Sequence, residues 1–165
     1  FLGGRLASCL RLSILTRSYP QSLCLDRFPD VLLPRFDIHH RILDPTRLVT
    51  DSKMAAQFPE LPYLTMKLPI MACLHYGIDE CVACVRKEHR SFYRRIFRAE
   101  PFSELRYYAP LNHEVQVMIS DVRTIHSELD HRFPFWRSTY FERRQIFGPP
   151  ENMPGVSVDD CDRAA

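Results

Sequence analysis

Residues 80–101, ECVACVRKEHRSFYRRIFRAEP, decide how this chain is read. Residues 81–85 are short and apolar and predict a strand; residues 87–97 are basic and aromatic and predict a helix, with His89, Phe92 and Tyr93 near its start. Tyr93 shares the apolar face of that helix with His89, Phe92, Ile96 and Phe97, so its plain reading is a packed core tyrosine. Arg86, Arg90, Arg94 and Arg98 recur every four residues, with Lys87 and Arg95 alongside. Such a stripe is either a solvated face or a docking surface for an acidic partner.

Outward from this stretch, the pattern is mixed. Residues 5–15 predict a strand with Leu6, Leu10, Leu12 and Ile14 on one face and Arg11 on the other. Residues 28–34, FPDVLLP, form a short apolar element between prolines, and residues 41–50, RILDPTRLVT, predict a second strand. Pro45 interrupts that strand, because proline cannot donate to a central ladder, and a bulge or a splayed strand is expected there. The prolines at 59, 62 and 69 predict a loop leading into a helix that starts at about Leu61 or Leu68 and ends at Tyr76, with Gly77 as its C-terminal cap. Residues 114–122 predict another strand, with Val115, Val117 and Ile119 on one face, and residues 135–147 a helix. The order strand, strand, helix, strand, helix, strand is an α/β (α+β) arrangement, with one domain over residues 1–147 and a disordered acidic tail over 148–165. The chain opens on Phe1 in mid-pattern, which is the look of an incomplete domain.

Composition bounds the function. At 165 residues and 45% hydrophobic content the chain can bury a core of its own. With 22 Lys and Arg against 20 Asp and Glu the net charge is +2, so no bulk nucleic-acid binding is implied and any charged partner meets a local patch. A rival RNA-binding reading would use the arginine stripe with Tyr107, Tyr108, Trp136 and Tyr140 as stacking platforms; near-neutral charge argues against it. No run approaches the ~18 apolar residues of a membrane span, and a cytoplasmic protein is expected. Cys81 and Cys84 form a CxxC, but positions three apart on a strand face opposite ways and could not share a metal. The seven histidines, at 39, 40, 75, 89, 113, 126 and 131, show no zinc-ligand spacing, and no metal is expected.

The runs GRLASCLRLSIL, LDRFPDVL, ILDPTRLVTD and CVACVRKEHRSFYRRIF resemble, in order and spacing, the long-chain N-acyl amino acid synthases, relatives of the acyl-homoserine-lactone synthases. The resemblance runs from about Gly4 to Gly148, and VRKEHRSFYRRIF is its most specific piece. It implies a GNAT-like mixed sheet flanked by helices, lacking the family's amino-terminal strands. It also implies an N-acyltransferase that moves a long-chain fatty acyl group from acyl carrier protein to the amino group of an amino acid. The donor is then the acyl-phosphopantetheine of acyl carrier protein, with no bound cofactor.

The resemblance assigns roles residue by residue. Tyr93 would supply the proton for the departing thiolate, and Asp44 would accept a proton from the acceptor amine or hold that amine. Arg11, Phe28 and Arg47 would bind substrate, and Arg86, Arg90, Arg94 and Arg98 would receive acyl carrier protein. Asp44 and Thr46 depart from the Glu and Ser usual in the homoserine-lactone branch, which leaves the acceptor open. The plainer alternatives are an Asp44 paired with Arg41 or Arg47, and arginines satisfied by internal carboxylates. Residues 51–69 contain no glycine, where coenzyme-A enzymes of this fold place a Gly-rich pyrophosphate loop, and this favours a carrier-protein donor. The different-class alternative is a non-catalytic remnant or binding module that docks a carrier protein or RNA.

Overall fold

The computed structural model describes residues 2–36 and 41–149. One mixed sheet carries β1 (Ser8–Leu15), β2 (Ile42–Thr50), β3 (Glu80–Arg86), β4 (Glu100–Pro101), β5 (Arg106–Tyr108) and β6 (His113–Asp121). Its order is β1-β2-β3-β6-β4, with β5 also on β6. All neighbours are antiparallel except β2 and β3, which run parallel and pair only at Ile42 with Glu80 and Leu43 with Cys81. Beyond Leu43 the two strands part.

The sequence explains the parting. Pro45 offers no N–H to a ladder, and Arg47 takes a left-handed φ of 54°. Opposite β1 the register moves from Cys9 with Val49 to Arg11 with Thr46, so β2 carries one residue more than its partner here. The bulge expected at Pro45 therefore sits two residues on, at Arg47 and Leu48, while the loss of pairing with β3 begins at Asp44. A bulged strand bends and twists. β2 stays with β1 and leaves β3.

Helices cover both faces. On one side α1 (Leu23–Arg27) and α2 (Pro29–Leu32) pack Cys24, Leu25, Phe28 and Leu32 against Val82, Val115 and Val117. On the other, α4 (Leu61–Tyr76), α5 (Arg90–Phe97) and α6 (Val122–Arg132) bring Met66, Ile70, Ile96, Phe97, Ile125 and Leu129 onto Val85 and Met118. The alternation of β3 and β6 between these two cores is the period-2 pattern expected of them. α3 (Ser52–Gln57) follows β2, and α7 (Tyr140–Phe147) packs on α4.

Several elements differ from expectation for local reasons. The predicted helix over 87–97 is a 3-10 turn at Lys87–His89 and then α5, with Arg98 left-handed at its C-cap. The predicted helix over 135–147 is a 3-10 turn at Pro134–Trp136 and then α7, restarted by a capping box between Thr139 and Glu142. α4 begins at Leu61 and runs through Pro69, because Met66, Pro69, Ile70, Met71 and Cys73 are all buried and their packing outweighs the ~3 kcal/mol a proline costs inside a helix. Gly77 caps α4 at a φ of 61°, as expected. Residues 150–165, most of the expected tail, and His39 and His40 lie outside the described residues.

Arg47 holds an L side chain where glycine is at ease. Arg47→Gly is expected to raise stability by about 1 kcal/mol, measured by urea denaturation with unchanged slope. A variant less stable than the parent would show that the arginine side chain, and not its backbone, holds the bulge.

Candidate active site

Where β2 and β3 part, a cavity of about 320 Å³ opens. Its walls come from both faces of the sheet: Leu10 and Leu48 from the first strand pair, Met66, Pro69 and Ile70 from α4, and Tyr93 and Phe97 from α5. Cys81, Ala83 and Cys84 of β3 line it because that edge of the strand has lost its partner. The wall is largely apolar, and its polar atoms are few: Thr46, Arg47, Tyr93, Tyr108 and Ser120 among them.

A second cleft, of about 310 Å³, lies on the α1 side, lined by Arg11, Ser13, Ser22, Asp26, Gln21 and Pro20. Leu23 and Thr46 line both spaces. An apolar cavity and a polar cleft thus meet across two side chains. Cross-strand register sets this up, since Arg11 lies opposite Thr46 and Ser13 opposite Asp44, on one face of the β1–β2 pair.

Asp44 is fully buried, beneath the cleft and lining neither space. Neither of its carboxylate oxygens has a hydrogen-bond partner at good geometry. Burial lifts its pKa to about 6, and the nearby Ser22 hydroxyl, Cys24 amide and Arg11 guanidinium offset only part of that rise. Arg11 is the cation that acts on it electrostatically, while Arg41 donates to the Tyr76 carbonyl and Arg47 lines the apolar cavity. Ser22 caps α1 by accepting from the Leu25 N–H at 3.0 Å, which leaves its own proton for another acceptor.

Tyr93 stands on the wall of the cavity, packed against Phe92 and Phe97 at ring distances of 5.5 and 5.8 Å. Burial pushes its pKa up to about 12. At neutral pH it keeps its proton and can donate a hydrogen bond.

Phe28 is fully enclosed in the α1-side core under the Arg106 guanidinium, 4.8 Å from its ring centroid, and lines neither space. The four arginines do not form one helical stripe: Arg86 ends β3, Arg90 and Arg94 are on α5, and Arg98 is its left-handed cap. Arg94 pairs with Glu100 at 3.5 Å and Arg98 with Glu128 at 2.7 Å. Cys81 and Cys84 face opposite cores, beside Cys73 and Cys24 respectively, and hydrogen bonding between these thiols, with burial second, holds Cys24 and Cys81 well above the usual thiol range. No cluster of metal-ligating side chains occurs among the described residues, nor any helix long and apolar enough to cross a membrane. Ser22, Ser13 and Ser120 escaped sequence reasoning, because a serine in a strand or before a short helix carries no chemical signal until the register is known.

A mixed sheet whose single parallel pair splays around an apolar cavity is a GNAT-like architecture. Residues 1–121 match the family model "N-acyl amino acid synthase FeeM", and the chain belongs to that family. Among solved structures it is similar to FeeM itself, from uncultured soil microbes, with a TM-score of 0.64 at 15% identity over 77% of this chain and 67% of that one. It is similar also to BjaI, a CoA-dependent acyl-homoserine lactone synthase solved with SAM and isopentyl-CoA, with a TM-score of 0.59 at 19% identity over 99% of this chain and 70% of that one. MesI, a further CoA-dependent acyl-homoserine lactone synthase, gives 0.54 at 13% identity over 96% and 70%. No curated protein matches by sequence.

The raised pKa of Asp44 makes stability depend on pH. A carboxyl that prefers its proton when folded adds no penalty below about pH 4 and destabilises the fold as pH rises through about 6, by roughly 3 kcal/mol in full. Asp44→Asn is therefore expected to gain about 2–3 kcal/mol on the parent between pH 4 and pH 8, read from denaturant midpoints. A constant difference across that range would mean that Asp44 titrates normally.

Proposed function

We propose that this chain transfers a fatty acyl group from the phosphopantetheine of acyl carrier protein to the amino group of an amino acid. The observation that carries the reading is the junction of the apolar cavity with the polar cleft at Leu23 and Thr46, with Asp44 beneath it. An acyl chain fits the first space, and an amine with a carboxylate fits the second, where Arg11 offers charge. The open edges of β2 and β3 leave backbone donors and acceptors facing the gap, suited to the amide groups of a pantetheine arm.

The chemistry follows from the two titrating groups. The neutral amine attacks the thioester carbonyl, and its surplus proton passes toward Asp44, with Ser22 at the cleft wall as the relay. A carboxyl with a pKa near 6 suits that task near neutral pH. The C–S bond then breaks, and Tyr93, whose proton is held more firmly than a thiol holds its own, donates a hydrogen bond to the departing thiolate. The products are the amide, the free thiolate and one proton on Asp44, which returns to solvent.

The donor is argued from the end of β2. The Asp51 carboxylate accepts the Met54 N–H at 2.9 Å and so occupies the start of α3, where a coenzyme-A pyrophosphate would need free amides. Arg90, on the half-buried start of α5, forms no ion pair among the described residues and is the arginine of the group best placed to meet an acidic carrier.

The test incubates the protein with acyl carrier protein thioesters, or with acyl-CoA in parallel, and mixed amino acids, and reads N-acyl products by mass spectrometry. Product from the carrier thioester is expected. Product from acyl-CoA alone would transfer the donor role to coenzyme A, and none from either, with the fold intact, would favour a binding module. Tyr93→Phe should lower kcat by about tenfold to a hundredfold with little change in KM; full turnover would return Tyr93 to packing alone. Arg90→Glu should weaken carrier binding by about three- to tenfold at low salt, the difference shrinking as salt rises. Unchanged binding would leave Arg90 a solvated residue.

A further inference from the structure

We infer that the polar cleft beside α1 selects a basic amino acid as the acceptor, with Asp26 meeting the positive end of its side chain. The inference rests on the acyl-transfer reading and names its acceptor class.

The cleft carries both signs of charge. Arg11 and Asp26 line it together with Ser13, Gln21, Ser22 and Thr46, and both charged residues are exposed. Neither forms an ion pair among the described residues. The next carboxylate along the chain, Asp30, is by contrast gripped on two prongs by Arg106, each bond 2.6 Å long. Asp26 is thus an acid that the fold leaves open within reach of a bound molecule.

The placement of the two charges orders an amino acid in one direction. Its reacting amine belongs at the junction of Leu23 and Thr46, where the cleft meets the apolar cavity. Arg11 lies opposite Thr46 across the β1–β2 pair, so the α-carboxylate beside that amine meets its guanidinium. Asp26 follows Ser22 by one turn of α1, its N–H donating to the Ser22 carbonyl at 3.0 Å, and so stands about 6 Å further along the same face of the helix. An extended side chain of about four or five bonds covers that distance from Cα, which is the reach of ornithine, lysine or arginine.

Other side chains gain less there. A carboxylate would face Asp26 with like charge. An aromatic ring would find Pro20 and Leu23 as its apolar wall, with no aromatic among the described residues that line the cleft. A short neutral side chain leaves Asp26 in water and gains nothing from it. Because both charges are open to solvent, the pairing gives a preference and not an absolute choice.

Arginine and citrulline test the charge alone, since they share length and shape and differ in the guanidinium. With both acceptors competing for one acyl thioester, kcat/KM is expected to favour arginine by about three- to fivefold at low salt, the ratio shrinking as salt rises. Asp26→Asn, on an exposed helix face and checked by its melting transition, should bring that ratio to about one. A parent ratio near one overturns the inference. So does a ratio that Asp26→Asn leaves unchanged while all acceptors slow together, for Asp26 would then hold the reacting ammonium.

Free arginine and citrulline, titrated into the protein by calorimetry, separate this inference from the reading beneath it. Tighter binding of arginine that Asp26→Asn abolishes, with no N-acyl product from any acceptor, keeps the basic-side-chain site and removes acyl transfer. Product formed without preference for basic acceptors keeps acyl transfer and removes the inference.

Discussion

The structure depends on the shortness of one ladder. β2 and β3 share two paired positions, Ile42 with Glu80 and Leu43 with Cys81, before β2 turns away to follow β1. Backbone groups left without a strand partner are costly unless water or a ligand meets them. Two long antiparallel pairings offset the loss: β1 with β2 from Ser8 to Leu15, and β3 with β6 from Glu80 to Arg86. The sheet is thus firm on both sides of a gap that it cannot close, and the gap is where the cavity lies.

The gap also sorts the electrostatics. Asp44 is the first residue of β2 past the shared pairing, so it is buried by α1 without a strand partner on the β3 side to help satisfy it. Tyr93 looks into the same gap from α5, on the opposite face. Burial acts on both in the same direction, toward the protonated form, but from different starting points. The carboxyl arrives near neutrality, where it can give or take a proton, and the phenol arrives far above it, where it keeps its proton and can donate a hydrogen bond. One physical cause therefore yields two unlike chemical tools.

Much of the frame was legible in the residues. β-Branched alternation located β2, β3 and β6 to within a residue or two, Gly77 marked the end of α4, and Pro45 announced the splay. The helix α6 was missed because β6 hands over to it directly at Asp121, which ends the strand and caps the helix by accepting the Thr124 N–H, with no loop residues between. The arginine spacing of four suggested a helical stripe that the backbone interrupts at both ends, since a 3-10 turn precedes α5 and a left-handed residue follows it. The cavity itself could not be read, because its walls come from five strands and three helices far apart in sequence. Which arginine attends Asp44 was likewise open, for the answer is a register: Arg11 lies opposite Thr46, two residues from Asp44 on the same face.

Three departures from good local chemistry lie near the gap between β2 and β3. Elsewhere the chain satisfies its ends with care: Ser22, Asp51, Asp121 and Thr139 cap their helices, and Arg106 with Asp30 and Arg98 with Glu128 form two-pronged pairs. Arg98 and Asn112, the other left-handed residues that are not glycine, sit at helix C-caps, where that conformation closes the last turn. Arg47 has no such excuse within a strand, Pro69 removes a hydrogen bond inside a helix, and Asp44 is a buried carboxyl without a hydrogen-bond partner. Arg47 and Pro69 line the cavity, and Asp44, which lines neither space, stands where β2 leaves β3. Strained backbone and buried polar groups beside a cavity are the features that binding sites retain at a cost to the fold. The splay between β2 and β3 is therefore best understood as a binding feature that the rest of the fold stabilises.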